Sequence, residues 1–183
     1  MPTNAEYEAL VTGFNHGDLV GLWDAVRNGV SLPQWGSGRA LEYLILRAYQ
    51  LEGAQVRWPY DVRVGGNIIE QIDGSVHFDA ISCLIECKNY AYPINGEAIG
   101  KLHYALTRRP PAAIGAVFSR SGFTQPAMAL ASFSAPQRVL LWDGDEIDYA
   151  LRSNLMREVL TKKFRFAVDM GISLYYALEA ALP

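Results

Sequence analysis

The chain has 183 residues, a net charge of −3 and 50% hydrophobic residues. This length corresponds to one domain, and this apolar content excludes wholesale disorder. The acidic balance excludes a highly cationic chain of the histone-tail kind, although a local basic face can still bind phosphates. No apolar run approaches the ~20 residues of a membrane span and no signal peptide is evident, so we expect a cytoplasmic protein with no membrane partner.

The first half of the chain predicts helices followed by strands. Apolar side chains recur every three or four residues, which indicates helices over 4–29, broken at 15–18, and over 38–51. A strand-rich block follows, with alternating or apolar runs that predict strands over 54–64, 68–78 and 81–89.

The second half of the chain alternates between the two kinds of element. We predict strands over 113–118 and 138–142, and helices over 95–109, 124–134 and 145–182. This order of elements is typical of an α/β fold with a mixed sheet.

The predicted strand 81–89 ends in the charged segment Glu86-Cys87-Lys88. Because side chains alternate along a strand, Glu86 and Lys88 share one face while Cys87 points to the other. The run Ile81–Ile85 is apolar on both faces, which favours a central strand. Buried singly, such charges are costly, so we interpret them as part of a functional set. The alternative is a simple same-face ion pair.

Asp73 supplies a second carboxylate, 13 residues before Glu86. If 68–78 and 81–89 form a hairpin that turns at Asp79-Ala80, Asp73 lies opposite Glu86, with Cβ atoms about 5 Å apart. The dipeptide Asp73-Gly74 is itself a typical hairpin turn, which remains the alternative.

Two carboxylates this close repel each other unless a cation neutralises them. Mg²⁺ is commonly held by one or two carboxylates together with water and phosphate oxygens. We therefore expect Asp73 and Glu86 to bind Mg²⁺. Lys88, one pleat away, could position or deprotonate an attacking water or stabilise the transition state of phosphoryl transfer.

The ordered set Asp73, Glu86-Cys87-Lys88 resembles the signature of the PD-(D/E)XK nuclease superfamily, with Ile72 in place of the proline. The segment Ser119–Ala127 is similar to the phenylalanine-threonine segment of the Mrr-like restriction endonucleases. The resemblance implies a restriction-endonuclease-like fold, in which a mixed central sheet is flanked by helices. It covers the predicted nuclease core, 36–142, and leaves an N-terminal helical extension, 1–35, and C-terminal helices, 143–183.

The resemblance also implies roles for individual residues. Many members carry a glutamate on the helix before the sheet, and Glu42 lies at that place. The backbone carbonyl of Cys87 could reach the metal beside Asp73 and Glu86. The implied activity is Mg²⁺-dependent hydrolysis of DNA by an endonuclease, with Mn²⁺ as a substitute ion, in restriction and defence or in DNA processing.

A substrate-binding face is predicted from the basic residues around this segment. Between residues 88 and 120 the chain has five basic residues and one acid, which favours contact with phosphates. The alternative is a solvated helix end, since arginines suit the negative end of a helix dipole. The candidates are Gln71, which shares the face of Asp73, Asn89, Lys101, Arg108, Arg109 and Arg120.

Other functions remain open at this stage. One is a catalytically inactive nuclease fold that binds nucleic acid or another protein, and another is a subunit that an activating protein switches on. Cleavage of both DNA strands is most simply done by a two-fold homodimer. Tyr175-Tyr176 in the apolar tail could form such a dimer surface.

Overall fold

The computed structural model describes residues 2–133 and 138–172 of the chain. Three helices come first: α1 (Asn4–Thr12), α2 (His16–Arg27) and α3 (Arg39–Leu51). Five strands follow: β1 (Gln55–Arg57), β2 (Tyr60–Val64), β3 (Asn67–Ile72), β4 (Gly74–Phe78) and β5 (Ile81–Lys88). The remaining elements are α4 (Glu97–Thr107), β6 (Ile114–Ser119), α5 (Gln125–Phe133), β7 (Val139–Trp142), α6 (Gly144–Arg152) and α7 (Met156–Met170).

The central sheet is mixed, as the order of elements predicts. Its strand order is β1-β4-β5-β6-β7, so β5 is the central strand. The pairs β1–β4 and β4–β5 are antiparallel, whereas β5–β6 and β6–β7 are parallel and are connected through α4 and α5. The fold is therefore α/β with a mixed central sheet flanked by helices. None of the helices in the described ranges has the length and apolar character that a membrane crossing requires.

The two faces of β5 are buried against different helices. Cys83, Ile85 and Cys87 belong to the core cluster that contains residues of α1, α2, α3, α6 and α7. Leu84 belongs to the second core cluster, with residues of α4 and α5. The predicted alternation along this strand is confirmed, and Glu86 lies on the α4 side.

The predicted hairpin of β4 and β5 is confirmed in its register. Gly74 pairs with Ile85 and Phe78 pairs with Ile81, and the chain turns at Asp79-Ala80. Asp79 has a φ of 49° in this turn. The alternative turn at Asp73-Gly74 is therefore wrong, and Asp73 lies immediately before the first paired residue of β4.

The prediction of single strands over 54–64 and 68–78 is wrong. The first is divided at Trp58-Pro59, because proline has no amide hydrogen to donate to a ladder. The second is divided at Asp73, and the following Gly74 has a φ of 151°. A Cβ atom at Gly74 would lie 2.7 Å from the Leu46 side chain, so the kink depends on glycine.

This division produces a separate hairpin of β2 and β3, which form a two-stranded sheet. Ile72, Tyr60 and Val62 pack with the core cluster on the α4 side. The hairpin thereby flanks α4 rather than extending the central sheet.

The tail predicted to be helical over 145–182 consists of two helices within the described part. The chain breaks between α6 and α7, where Asn154 has a φ of 55°. Ser134, residues 173–182 and the Tyr175-Tyr176 pair lie outside the described residues.

Candidate active site

The candidate site lies at the C-terminal end of β5, where α3 approaches from one face of the sheet and α4 from the other. Glu86 is almost fully buried there. Its carboxylate accepts Lys88 Nζ at 2.6 Å on Oε1 and Lys101 Nζ at 2.7 Å on Oε2. The Glu86 carboxylate is therefore held by two ammonium groups, one from its own strand and one from α4.

Asp73 is brought to this end of β5 by the kink before β4. Its Oδ2 accepts a hydrogen bond from the backbone N–H of Cys87, at 2.8 Å. Because Cys87 lies between Glu86 and Lys88, the bond fixes Asp73 beside both. The structure therefore brings Asp73, Glu86 and Lys88 together at the end of β5.

Glu42 reaches the same place from the first turn of α3. Its side chain is largely buried, and Oε2 accepts Arg39 Nη1 at 2.7 Å. Arg39 precedes Glu42 by three residues, which places both on one face of the helix. The sequence analysis missed Arg39, although this spacing could have shown it.

Burial and the neighbouring carboxylates raise the pKa values of Asp73 and Glu42. Burial raises the pKa of Asp73 to about 7, and the negative charges of Glu86 and Glu42 add to the shift. Burial also raises the pKa of Glu42, although Arg39 opposes the shift. For Lys88, burial alone would lower the pKa, but the adjacent Glu86 carboxylate outweighs it and the pKa is raised. Asp73 is therefore partly protonated near neutral pH, whereas Lys88 stays charged.

The donor chemistry of this cluster fits a hard divalent cation. No three His, Cys, Asp or Glu side chains in residues 2–133 and 138–172 converge closely enough to hold a metal by themselves. Mg²⁺ usually takes one or two carboxylates and completes its shell with water and phosphate oxygens. Asp73 and Glu86 match that number, and a cation would offset the burial and the neighbouring negative charges that together raise the pKa of Asp73.

Two neutral candidates, Gln71 and Asn89, lie near the site. No hydrogen bond within the described residues joins either side chain to the carboxylates of the site. Gln71 is exposed, and its Nε2 donates weakly to Asp61 Oδ1 at 3.5 Å. Asn89 lines a cavity of about 340 Å³ together with Gly38 and Arg120. Its Oδ1 is buried without a hydrogen-bond partner among the described residues. Their substrate-binding roles stay predictions.

Two of the predicted phosphate contacts, Arg108 and Arg109, have an acidic partner within the chain. Arg108 and Arg109 form ion pairs with Glu70 of β3, at 2.5 and 2.7 Å. Arg109 also donates to the carbonyl of Ala105 near the end of α4, which agrees with the helix-end alternative. The sequence analysis missed Glu70, whose acidic side chain joins the β2–β3 hairpin to α4.

Arg120 and Lys101 occupy different environments. Arg120 donates to the backbone carbonyls of Tyr90 and Val26, at 3.1 and 2.8 Å. Lys101, which the sequence placed only on a general basic face, reaches the carboxylate at the centre of the candidate site. No local pattern identifies that contact, because it depends on how α4 crosses the sheet.

Comparisons with known proteins identify a family and several solved structures of similar fold. The family model for the Mrr catalytic domain, described as restriction endonuclease, matches residues 35–151. No curated protein shows a significant match to the chain.

Solved structures with a similar fold include the small subunit R.BspD6I2 of the heterodimeric restriction endonuclease R.BspD6I. It has a TM-score of 0.54 and 17% identity, over 81% of this chain and 89% of that one. Protein VC1899 from Vibrio cholerae has a TM-score of 0.52 and 16% identity, over 80% of this chain and 43% of its own. The protein of unknown function AF1548 has a TM-score of 0.49 and 15% identity, over 66% of this chain and 65% of its own.

Proposed function

The chain belongs to the Mrr restriction endonuclease family, and from that premise we propose that it is a Mg²⁺-dependent endonuclease that hydrolyses phosphodiester bonds in DNA. The observation that supports this proposal is the hydrogen bond from the Cys87 amide to Asp73, which holds an aspartate beside Glu86 and Lys88. Two carboxylates can hold a divalent cation, and such a cation can polarise a phosphoryl oxygen and activate a water.

Asp73, Glu86 and the backbone carbonyl of Cys87 would hold the metal. When bound, the ion supplies positive charge and Lewis acidity beside the phosphate. Glu86 would have to exchange one of its two ammonium partners, because both of its oxygens accept a lysine. Glu42, with Arg39, would adjust the charge of the ligand set or bind a metal itself.

Lys88 is the group that we assign to the attacking water. In hydrolysis, the water loses a proton to solvent as its oxygen forms a bond to phosphorus, one phosphorus–oxygen ester bond breaks, and the departing sugar oxygen gains a proton from solvent. Lys88 would donate a hydrogen bond that positions this water or the phosphate oxygen on which charge develops. Its pKa is raised beside Glu86, so its charge persists at neutral pH.

The direct test is cleavage of supercoiled plasmid DNA in Mg²⁺ or Mn²⁺. We expect wild type to nick or linearise the plasmid, and Asp73→Ala, Glu86→Ala and Lys88→Ala each to lose at least about a hundredfold in rate. Matched controls are Asp61→Ala and Lys162→Ala, which alter exposed ion pairs with Arg63 and Glu158.

Cleavage that ends with EDTA and in the three site variants, but persists in both controls, supports the site and the activity together. Cleavage that survives in the site variants contradicts the assignment. Wild type that cuts no DNA at any metal concentration contradicts an autonomous endonuclease.

A partner-activated subunit is the second candidate, and one observation favours it. The two lysines neutralise Glu86 within the chain, which leaves the carboxylate unavailable until substrate, metal or another protein displaces a lysine. The small subunit of R.BspD6I, which shares this fold, is by its description part of a heterodimer. An inactive nuclease fold that only binds nucleic acid or protein would show no metal-dependent cleavage with any added partner.

We further propose the setting in which this chemistry operates. The nuclease core would be 36–142, with 1–35 and 143–183 as helical extensions of one compact domain. We place the protein in the cytoplasm, where restriction, defence or DNA processing would occur. A homodimer would supply two sites for the two strands. Sedimentation with and without duplex DNA tests the dimer.

A further inference from the structure

Two exposed tyrosines form a stacked pair just beyond the candidate site. The rings of Tyr90 and Tyr92 lie with centroids 5.8 Å apart and planes 17° apart. Tyr90 is 49% exposed and Tyr92 is 65% exposed. Neither ring belongs to the core clusters. Such a pair leaves aromatic surface open to solvent, and core packing does not account for it.

The loop that carries the pair is firmly anchored. The carbonyl of Tyr90 accepts hydrogen bonds from Arg120 Nε, at 3.1 Å, and from Ser121 Oγ. At its far end Ile94 is bridged to the same neighbouring segment, and its carbonyl accepts the amide of Thr124 at 3.0 Å. The rings are thus presented by a backbone that is fixed before any ligand arrives, which lowers the entropic cost of binding.

Tyr90 of the pair lies beside the lysines of the site. Lys88, Tyr90 and Lys101 line one cavity of about 100 Å³. The Cα atoms of Lys88 and Tyr90 are two residues apart and so at most about 7 Å from each other. One strand of DNA advances about 3.4 Å per nucleotide. The backbone of Tyr90 therefore lies within about two nucleotide steps of that of Lys88.

We propose that Tyr90 and Tyr92 form a stacking platform for an unpaired nucleobase next to the scissile phosphate. This inference rests on the proposed function and names its substrate class: DNA that is single-stranded, or whose base is out of the helix, at the cleavage point. Every nucleobase has a π-face, so the platform binds without regard to sequence. Bases inside an intact duplex are already stacked on their neighbours and cannot occupy it.

Binding in the absence of divalent ions tests the platform separately from catalysis. The probes are fluorescein-labelled oligo(dT), an abasic strand of equal length and a blunt duplex, measured by fluorescence anisotropy in EDTA. Wild type should bind oligo(dT) about tenfold more tightly than the abasic strand, since stacking of one base contributes a factor of about 5 to 150. The double variant Tyr90→Ala/Tyr92→Ala should bind the two strands equally.

Two control variants show whether the rings of Tyr90 and Tyr92 cause the preference for strands with bases. Tyr90→Phe/Tyr92→Phe keeps both rings and should keep the preference for bases. Tyr104→Ala removes a ring that is 62% exposed on α4 and contacts Arg108, and it should also keep the preference. Both tyrosines are surface residues, so the alanine variants should retain wild-type stability.

The proposal is overturned if Tyr90→Ala/Tyr92→Ala retains the preference, if Tyr104→Ala removes it equally, or if the double variant weakens duplex and abasic strand as much as oligo(dT). Failure of the proposed function would appear differently. A chain that shows the base preference but cuts no DNA has the platform without the nuclease, whereas a chain that cuts DNA without the preference has the nuclease without the platform.

Discussion

Asp73 accepts a hydrogen bond from the backbone amide of Cys87 across two strands, at 2.8 Å. The partner is main chain, so the identity of the Cys87 side chain has no part in this contact. Cys87 itself points into the core on the α3 side. The bond therefore joins the aspartate to the segment that carries Glu86 and Lys88 through atoms that every residue possesses.

Asp73→Asn should stabilise the protein at neutral and alkaline pH. Burial and the neighbouring carboxylates raise the pKa of folded Asp73 to about 7, from an ordinary value of 3.8. Between these values the folded chain retains a proton that the unfolded chain has released, so stability falls as pH rises through this window, and the loss is complete above about pH 7. We expect urea denaturation to show a gain of about 2 kcal/mol for the variant near pH 8 and little gain near pH 4.

Asp61→Asn is the matched control, because Asp61 is paired with Arg63 outside the site. It should not reproduce the pH-dependent gain. Parallel stability profiles for wild type and Asp73→Asn would contradict the raised pKa.

Binding of Mn²⁺ should release a proton from Asp73. A metal ligand must be deprotonated, so affinity should rise about tenfold per pH unit below pH 7 and level off above it. Calorimetric titration in buffers of different ionisation enthalpy measures the proton released. Asp73→Asn should bind at least about tenfold more weakly. Affinity that does not change between pH 5.5 and 7 would contradict the proposed ligand.

Lys101→Met and Lys88→Met should change different properties, metal affinity in the first variant and cleavage in the second. Lys101 Nζ contacts both oxygens of Glu86, so it competes with a metal for the same carboxylate. We expect Lys101→Met to raise Mn²⁺ affinity about tenfold, the equivalent of one hydrogen bond to a charged group. Lys88→Met should abolish cleavage while metal still binds.

Lys162→Met, which removes a lysine from an exposed pair with Glu158, should change neither property. A fall in metal affinity in Lys101→Met would mean that Lys101 supports the ligand set and does not compete with the ion.

Gly74→Ala should destabilise the fold by about 2 kcal/mol or more. Its φ of 151° lies in a region that L-residues rarely adopt, and a Cβ would lie 2.7 Å from Leu46 Cδ1 and 2.9 Å from the carbonyl oxygen of Arg57. Gly66→Ala is the control, because Gly66 also has a positive φ, of 84°, but has open space around it. The difference between the two variants, measured by thermal denaturation, isolates the close packing at the kink. Equal losses would contradict it.

The sequence was sufficient to predict that Asp73 lies against Glu86, because this contact depends only on two strands that are adjacent in the chain. Apolar runs on both sides of Asp79-Ala80 set the register of β4 and β5, and the register places Asp73 against Glu86. The apolar stretch before Glu86 likewise identified β5 as the central strand. Both predictions depend on the alternation of side chains between the two faces of a strand.

The remaining features depend on contacts between distant elements. The kink at Gly74 follows from its packing against Leu46 of α3, and the contact of Lys101 with Glu86 follows from the crossover of α4. Lys163, on α7, is 1% exposed and pairs with Glu146 of α6, although a lysine on a helix ordinarily predicts a solvated face. Periodicity within one element does not identify the partner of such a side chain.

The β4–β5 hairpin also bears on the order in which the chain folds. Asp73 and Cys87 are only 14 residues apart, and a loop of this size closes in well under a microsecond. If this hairpin forms before α3 and α4 dock, the mutual repulsion of Asp73 and Glu86 already opposes the folding transition state. Removal of the Asp73 charge would then accelerate folding as well as slow unfolding. The repulsion between Asp73 and Glu86, the two proposed metal ligands, would then slow the folding of the chain.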